Sequence, residues 1–293
     1  MAREMGDRMR QYVLGLYEKS MPNGLSLTEK LKAAKRSGYD FLELSIDETD
    51  EKLARLGWDR ETRMKLTEVM KVTGVPIQSI CLSGHRKYPL GHPEPAVRRR
   101  SLEIMERAIG LAADLGVRII QLAGYDVYYE TGTEQTRKYF EESLRKSVEM
   151  ASKAGVMLAF ETMETEFLNT VKKGMYWVDK INSPYLQMYP DVGNITNAMQ
   201  QEAGQPTEDL NAGRGHIAAV HLKETRPGIF REVPYGEGHV DFAAMCNAAY
   251  KLGVRRYLAE FWYDGTAQWE NILIENCKFL RNFLDQAEKI AAE

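Results

Sequence analysis

Cysteine is scarce in this chain, 3 in 293 residues, and Cys81, Cys246 and Cys277 lie far apart with no CxxC pair. That excludes a disulfide framework and a zinc knuckle and points to a reducing compartment. Long apolar runs are missing as well. The charged start MAREMGDRMRQY is not followed by the stretch that a signal peptide or membrane span requires, so a cytoplasmic protein with no membrane partner is expected. Charge of one sign is also lacking: 39 Lys and Arg against 42 Asp and Glu leave a formal charge of −3. Such a chain lacks the broad positive field that sequence-independent nucleic-acid binding needs, and no nucleic-acid partner is expected. No low-complexity segment, short repeat or GxGxxG loop is present, and the last absence counts against a doubly wound nucleotide-binding sheet. The remaining composition, 44% hydrophobic and 28% charged, is that of a globular chain able to bury a large core.

Apolar runs rich in β-branched or aromatic residues recur at VLGLY (13–17), DFLELS (40–45), IQSICLS (77–83), RIIQLAG (118–124), VMLAFE (156–161), LQMYPD (186–191), IAAVHLK (217–223) and YLAEFW (257–262). Segments of helical spacing separate them, among them Leu102, Met105, Ile109 and Ala112, then Leu144, Val148 and Ala151. Several helices end on a Gly just before the next strand, as in SGYDFLEL, TGVPIQSI, LGVRIIQL, AGVMLAF and LGVRRYLAE, the signature of a left-handed helix cap. Continuous apolar strands after such helices are parallel and buried on both faces. Eight βα units without a linker predict an α/β fold, a (β/α)8 TIM barrel in a single domain over residues 1–293, with 1–12 expected as a flexible N-terminal extension.

In a barrel the active site lies at the carboxyl ends of the strands, so polar residues ending otherwise apolar strands are the candidates. Glu43, His85, Glu161, Asp191, His221, Lys223 and Glu260 all qualify. Any one acidic residue there reads equally as a helix cap or an ion-pair partner. Glu161, Asp191, His221 and Glu260, however, come from four consecutive strands. Three carboxylates and an imidazole on one rim need a compensating cation, which a divalent metal such as Mn²⁺, Mg²⁺, Co²⁺ or Zn²⁺ supplies. His216 competes with His221 but lies at the start of its strand, on the opposite face of the barrel from the site. His92 and His239 are expected to face solvent. His85, Arg86 and Lys87 follow strand 3 on the catalytic side, where a phosphate could meet them, and Lys223 reaches the same rim. The glycines of YGEGHVDF (235–242) precede a helix start, whose free N–H groups could also hold a phosphate.

The segments LGLYEKSMP, ELSIDETDEKLARLGW, ICLSGHRKYPLG, IQLAGYDVYYE, YPDVGN, HLKET and VPYGEG, with YLAEFW beyond, resemble the L-ribulose-5-phosphate 3-epimerase family. These are the L-xylulose-5-phosphate 3-epimerases of L-ascorbate and L-xylulose catabolism, within the xylose-isomerase-like barrel superfamily. The resemblance implies a metal-dependent isomerase that inverts C3 of a ketopentose 5-phosphate through a cis-enediolate. By motif it makes Glu161 (AFETME), Asp191 (YPDVGN), His221 (HLKET) and Glu260 (AEFW) the metal ligands. It also makes Glu161 and Glu260 the two catalytic acid–base groups on opposite faces of the substrate, and a homodimer or higher homo-oligomer the expected assembly. His85, Asn194 and Lys223 are the expected substrate contacts. Two positions depart from the family pattern: Glu164 in ETME and Glu224 in HLKET stand where Asp is expected.

Other chemistries suit the same residues. An aldose–ketose isomerase of the hexulose-6-phosphate type uses the same metal and enediolate, and a 3-epimerase of unphosphorylated ketoses differs only in its substrate. An endonuclease IV-like phosphodiesterase needs additional His and Asp ligands and a basic surface, against which five histidines and a charge of −3 weigh. A non-catalytic sugar-binding barrel would not need both glutamates.

Overall fold

The computed structural model describes residues 10–293. In chain order its elements are β1 (Val13–Tyr17), α1 (Leu27–Arg36), β2 (Phe41–Ser45), α2 (Asp50–Ala54), α3 (Arg60–Thr73), β3 (Ile77–Leu82), α4 (Pro95–Leu115), β4 (Ile119–Ala123), α5 (Glu134–Ala154), β5 (Met157–Glu161), α6 (Val171–Ile181), β6 (Leu186–Met188), α7 (Val192–Gln201), α8 (Pro206–Ala212), β7 (Val220–Leu222), α9 (Phe242–Lys251), β8 (Arg256–Ala259) and α10 (Trp269–Ile290).

Local chemistry sets the ends of these helices. Ser26 and Glu29 form a reciprocal capping box at the start of α1, and the Asp59 carboxylate accepts the Thr62 N–H at the start of α3. The five helix-ending glycines of the sequence pattern all have positive φ, from 67° at Gly155 to 88° at Gly253, a backbone region that a side chain disfavours. Gly15 in β1 is required for a different reason: a Cβ there would run into the Phe41 ring on β2.

All eight strands among the described residues are parallel, in the order β6-β5-β4-β3-β2-β1-β8-β7. The ring closes between β6 and β7 by isolated bridges, Met188 to Ile217 and Asp191 to His221. Here the Met188 N–H donates to the His216 carbonyl at 2.8 Å and the His221 N–H to the Pro190 carbonyl at 2.9 Å. The strands expected over 186–191 and 217–223 are therefore shorter than predicted, because Pro190 has no N–H with which to continue a ladder. This is the expected (β/α)8 barrel.

Two apolar layers hold it together. The larger lies between the sheet and the helices and includes Leu14, Leu42, Ile80, Ile104, Leu144 and Leu280. The smaller fills the barrel interior with Phe41, Ile119, Ala159, Ala219 and Leu258. Fully burying a side chain of the Leu, Ile or Phe type stabilises by roughly 1.5–3 kcal/mol, so both layers contribute strongly. The interior changes character one layer higher, where the inward residues are Glu43, Ser79, Gln121 and His221, all fully buried.

Residues 1–9 of the expected N-terminal extension lie outside the described residues. Residues 10–12 are tied to α10: the Arg10 guanidinium pairs with Asp285 at 2.8 Å, and the Tyr12 hydroxyl donates to the same carboxylate at 2.6 Å. No helix among the described residues is long and apolar enough to cross a membrane.

Candidate active site

The ring brings Glu161, Asp191, His221 and Glu260 together at the carboxyl end of the barrel. Glu161 is the last residue of β5, Asp191 caps α7, His221 lies within β7, and Glu260 directly follows β8. Each offers one ligand atom, and these four atoms lie within 4.8 Å of one another. All four residues are buried, with Asp191 and His221 fully so. The His221 Nδ1 is 3.1 Å from Glu260 Oε2 and 3.3 Å from Glu161 Oε1.

Asp191 settles a question that its sequence leaves open. It is a helix cap, since Oδ1 accepts the Asn194 N–H at 2.7 Å. Its other oxygen, Oδ2, is buried, faces the cluster and has the Lys223 ammonium at 3.2 Å, so one carboxylate does both tasks. Three buried carboxylates share Lys223 and one imidazole, and a further cation among these groups would offset their crowded negative charge. Three oxygen donors and one nitrogen fit a divalent ion of the Mg²⁺, Mn²⁺, Co²⁺ or Zn²⁺ kind.

The field within the cluster is uneven. Lys223 Nζ lies 3.2 Å from Asp191 Oδ2 and 3.8 Å from Glu260 Oε2. Burial alone would depress Lys223, but Asp191 and Glu260 outweigh it and raise its pKa. Burial would likewise raise Glu260, yet Lys223 and His221 hold it well below the ordinary carboxylate range. For Glu161, burial and the Glu260 charge prevail over His221 and Lys223, and its pKa is raised. Asp191 is pushed up to about 8, chiefly by burial and against the pull of Lys223. His221 is driven upward by Glu43, Glu260 and Glu161 despite its burial. The two glutamates are therefore pushed apart, Glu161 upward and Glu260 downward.

Lys223 thus sits inside the cluster, while His85 and Asn194 lie outside it. His85 is buried in the turn after β3, its Nε2 3.2 Å from the Ser101 carbonyl of α4, and burial lowers its pKa to about 4. A neutral ring donating there leaves Nδ1 as an acceptor. Asn194 spends its Nδ2 on the Thr162 carbonyl at 2.7 Å, while its Oδ1 is buried and unpaired. His216 stays away, with Nδ1 3.1 Å from Gln187 Oε1. His92 and His239, expected to face solvent, are half-buried, because His92 accepts the Glu94 N–H and His239 meets the Thr225 hydroxyl.

The two departures from the family pattern are rim ties. Glu224 accepts the N–H groups of Thr225, Gly236 and Val240, each at 3.1 Å. Of the amides of 235–242 that looked available to a phosphate, those of Gly236 and Val240 are therefore already taken by a carboxylate, and those of Glu237, His239 and Phe242 by backbone carbonyls. Glu164 accepts from the Tyr128 hydroxyl at 3.0 Å and from Arg231 at 3.2 Å, joining the loop after β4 to the loop after β7. Arg86 lies 5.0 Å over the Tyr128 ring, and Lys87 is 3.8 Å from Asp50.

Two further residues touch the cluster from below: Glu43, a strand-end candidate to which the sequence assigns no role, and Gln121, which the sequence pattern does not single out. Glu43 pairs with His221 Nε2 at 3.1 Å, and Gln121 donates from Nε2 to Glu161. Both interrupt apolar strands, FLELS and IIQLA, the same signal that marked Glu260.

Known proteins place this arrangement. Residues 31–283 match the family of xylose isomerase-like TIM barrels. The chain is 47% identical over 259 residues to an L-ribulose-5-phosphate 3-epimerase UlaE of Shigella boydii serotype 18, covering 87% of this chain and 89% of the relative. It is 43% identical to the enzyme of that name from Shigella flexneri, covering 97% and 99%. Among solved structures, D-psicose 3-epimerase with D-tagatose from Clostridium cellulolyticum H10 superposes with a TM-score of 0.78 at 14% identity, over 93% of this chain and 99% of that one. The likeness to that structure is one of fold.

Proposed function

This chain belongs to the xylose isomerase-like TIM barrel family and, within it, to the L-ribulose-5-phosphate 3-epimerases, and from that membership we propose that it interconverts L-ribulose 5-phosphate and L-xylulose 5-phosphate by inverting C3. The observation that carries this reading is the meeting of Glu161 and Glu260 with Asp191 and His221 at the carboxyl end of the barrel, all four ligand atoms within 4.8 Å.

In this reading the four residues hold a divalent ion, Mn²⁺, Mg²⁺, Co²⁺ or Zn²⁺. Such an ion would supply positive charge beside the oxygens of the ketose and so would make the C3 hydrogen more acidic. Inversion needs one group to take the C3 proton from one face and another to return a proton to the opposite face. Glu161 reaches in from β5 and Glu260 from β8, with β6 and β7 between them, and these two carboxylates are assigned the transfers. Lys223, within the cluster, balances its negative charge and meets a substrate oxygen. The unpaired Asn194 Oδ1 accepts from a substrate hydroxyl, and so does His85 through Nδ1. The family resemblance alone extends the reading to a single-domain, cytoplasmic homo-oligomer serving L-ascorbate degradation.

The test is to follow L-ribulose 5-phosphate by NMR with metal-loaded and chelator-treated protein. Metal-dependent formation of L-xylulose 5-phosphate is expected. An aldose phosphate product would replace this reading with an aldose–ketose isomerase, and turnover of only the unphosphorylated ketose would remove the phosphate from it.

A further inference from the structure

We propose that Glu43, braced by Ser79, is a positioning residue that fixes the His221 ring so that Nδ1 faces the carboxylate cluster. The inference rests on the metal reading above and deepens it.

Glu43 stands in the middle of β2 with no solvent exposure. Register places it opposite Ser79 on β3, whose hydroxyl donates to Glu43 Oε2 at 2.6 Å. Its other oxygen, Oε1, lies 3.1 Å from His221 Nε2, and His221 is its only ion-pair partner among the described residues. A carboxylate only accepts, so the ring must carry its proton on Nε2 to make this bond. Nδ1 is the nitrogen that faces the cluster, 3.1 Å from Glu260 and 3.3 Å from Glu161, and with a metal ion held there a ring protonated on Nε2 would turn its lone pair on Nδ1 toward the ion. The Tyr189 ring packs edge-to-face on the imidazole at 4.5 Å and holds it from the side.

A carboxylate at this depth has no packing advantage. The layer beneath is apolar, with Phe41, Ile119 and Leu258, and an unpaired buried charge there would be costly. Its expense is balanced only if it does something to His221. Partners of this kind set the tautomer and orientation of a metal-binding histidine, and their loss costs about 10- to 100-fold in metal affinity.

The test measures Mn²⁺ binding calorimetrically on the full chain as wild type, Glu43→Gln and Ser79→Ala, with thermal melts of each metal-free protein. Glu43→Gln is expected to weaken Mn²⁺ binding by about 10- to 100-fold and Ser79→Ala by less, with the metal-free melting temperature of each nearly unchanged. Long-range ¹H–¹⁵N spectra of the Zn²⁺-loaded wild type are expected to place the His221 proton on Nε2, a readout that stands even if a variant fails to fold. Mn²⁺ affinity in Glu43→Gln within twofold of wild type, or the ring proton on Nδ1, would overturn the proposal and leave the metal reading intact. Absence of Mn²⁺ binding by the wild type would instead remove the metal reading, and this proposal with it.

Discussion

Two buried charge clusters sit near the carboxyl ends of the strands, and they are built on opposite plans. At Glu18, which directly follows β1, one fully buried carboxylate is saturated with donors. Lys30 Nζ lies at 3.1 Å, Lys52 Nζ at 2.7 Å, the Arg55 guanidinium at 2.6 and 2.8 Å, and the Ser45 N–H at 2.9 Å. Burial would raise Glu18, but the Arg55 bonds and the charges of Arg55, Lys30 and Lys52 hold it well below the ordinary range. At Glu161, Asp191 and Glu260 the acceptors dominate, and three carboxylates share Lys223 and His221. The first plan ties α1, α2 and β2 to the end of β1. The second leaves room for a cation and a substrate. Buried charge marks structure where its partners are complete, and a site where they are not.

Mutating each cluster should therefore damage a different property. The largest effect is expected at the open cluster: Glu161→Gln and Glu260→Gln each lower kcat by about 100- to 10,000-fold, the span of a lost general acid or base. Removing the crowded Glu161 charge should leave the metal-free melting temperature at or above that of the wild type, whereas Glu260→Gln, which takes a partner from Lys223 and His221, should lower it, and steady-state kinetics beside calorimetry check both halves. At the closed cluster, Glu18→Ala strands Lys30, Lys52 and Arg55 in the interior. A loss of about 3–5 kcal/mol in urea unfolding is expected, the size seen when one partner of a buried ion pair is removed.

Acid should act on the fold through His85, outside both clusters. Its folded pKa, about 4, lies below the value of about 6.5 for an unfolded histidine. Between these values the unfolded chain binds the proton and the folded one does not, so this contribution falls as pH drops from about 6.5 to about 4 and is constant outside that window. The full loss is about 3 kcal/mol, read as the difference between wild type and His85→Gln in urea unfolding across the window. The smallest effect is expected at Glu224→Gln. One of the three N–H groups it holds loses its acceptor, for about 1 kcal/mol. Hydrogen exchange should then quicken at Gly236 and Val240 while the core strands stay protected.

The open cluster was legible in the sequence because Glu161, Asp191, His221 and Glu260 each punctuate or end an apolar strand, and the barrel rule places such ends on one rim. β1 to β5 lie within a residue of their apolar runs for the same reason: parallel strands buried on both faces read as continuous hydrophobic stretches. The closed cluster was not legible. Lys30, Lys52 and Arg55 lie in helical segments where charge reads as a solvated face, and only the packing of α1 and α2 around Glu18 turns them inward. The pairing of Glu43 with His221 escaped likewise, since it joins residues 178 apart in the chain. The Gly236 and Val240 amides looked free because nothing local announces that Glu224 will fill them.

The central claim, two glutamates working on opposite faces of one carbon, is tested most directly by solvent deuterium exchange at C3 in the two Glu→Gln variants, each supplied with either epimer of the ketopentose 5-phosphate. With one base left, each variant should exchange C3 hydrogen in one epimer only, and the two variants should choose opposite epimers, while the wild type exchanges both and interconverts them. Equal exchange of both epimers by a single variant would mean that one base serves both faces, and would contradict the account.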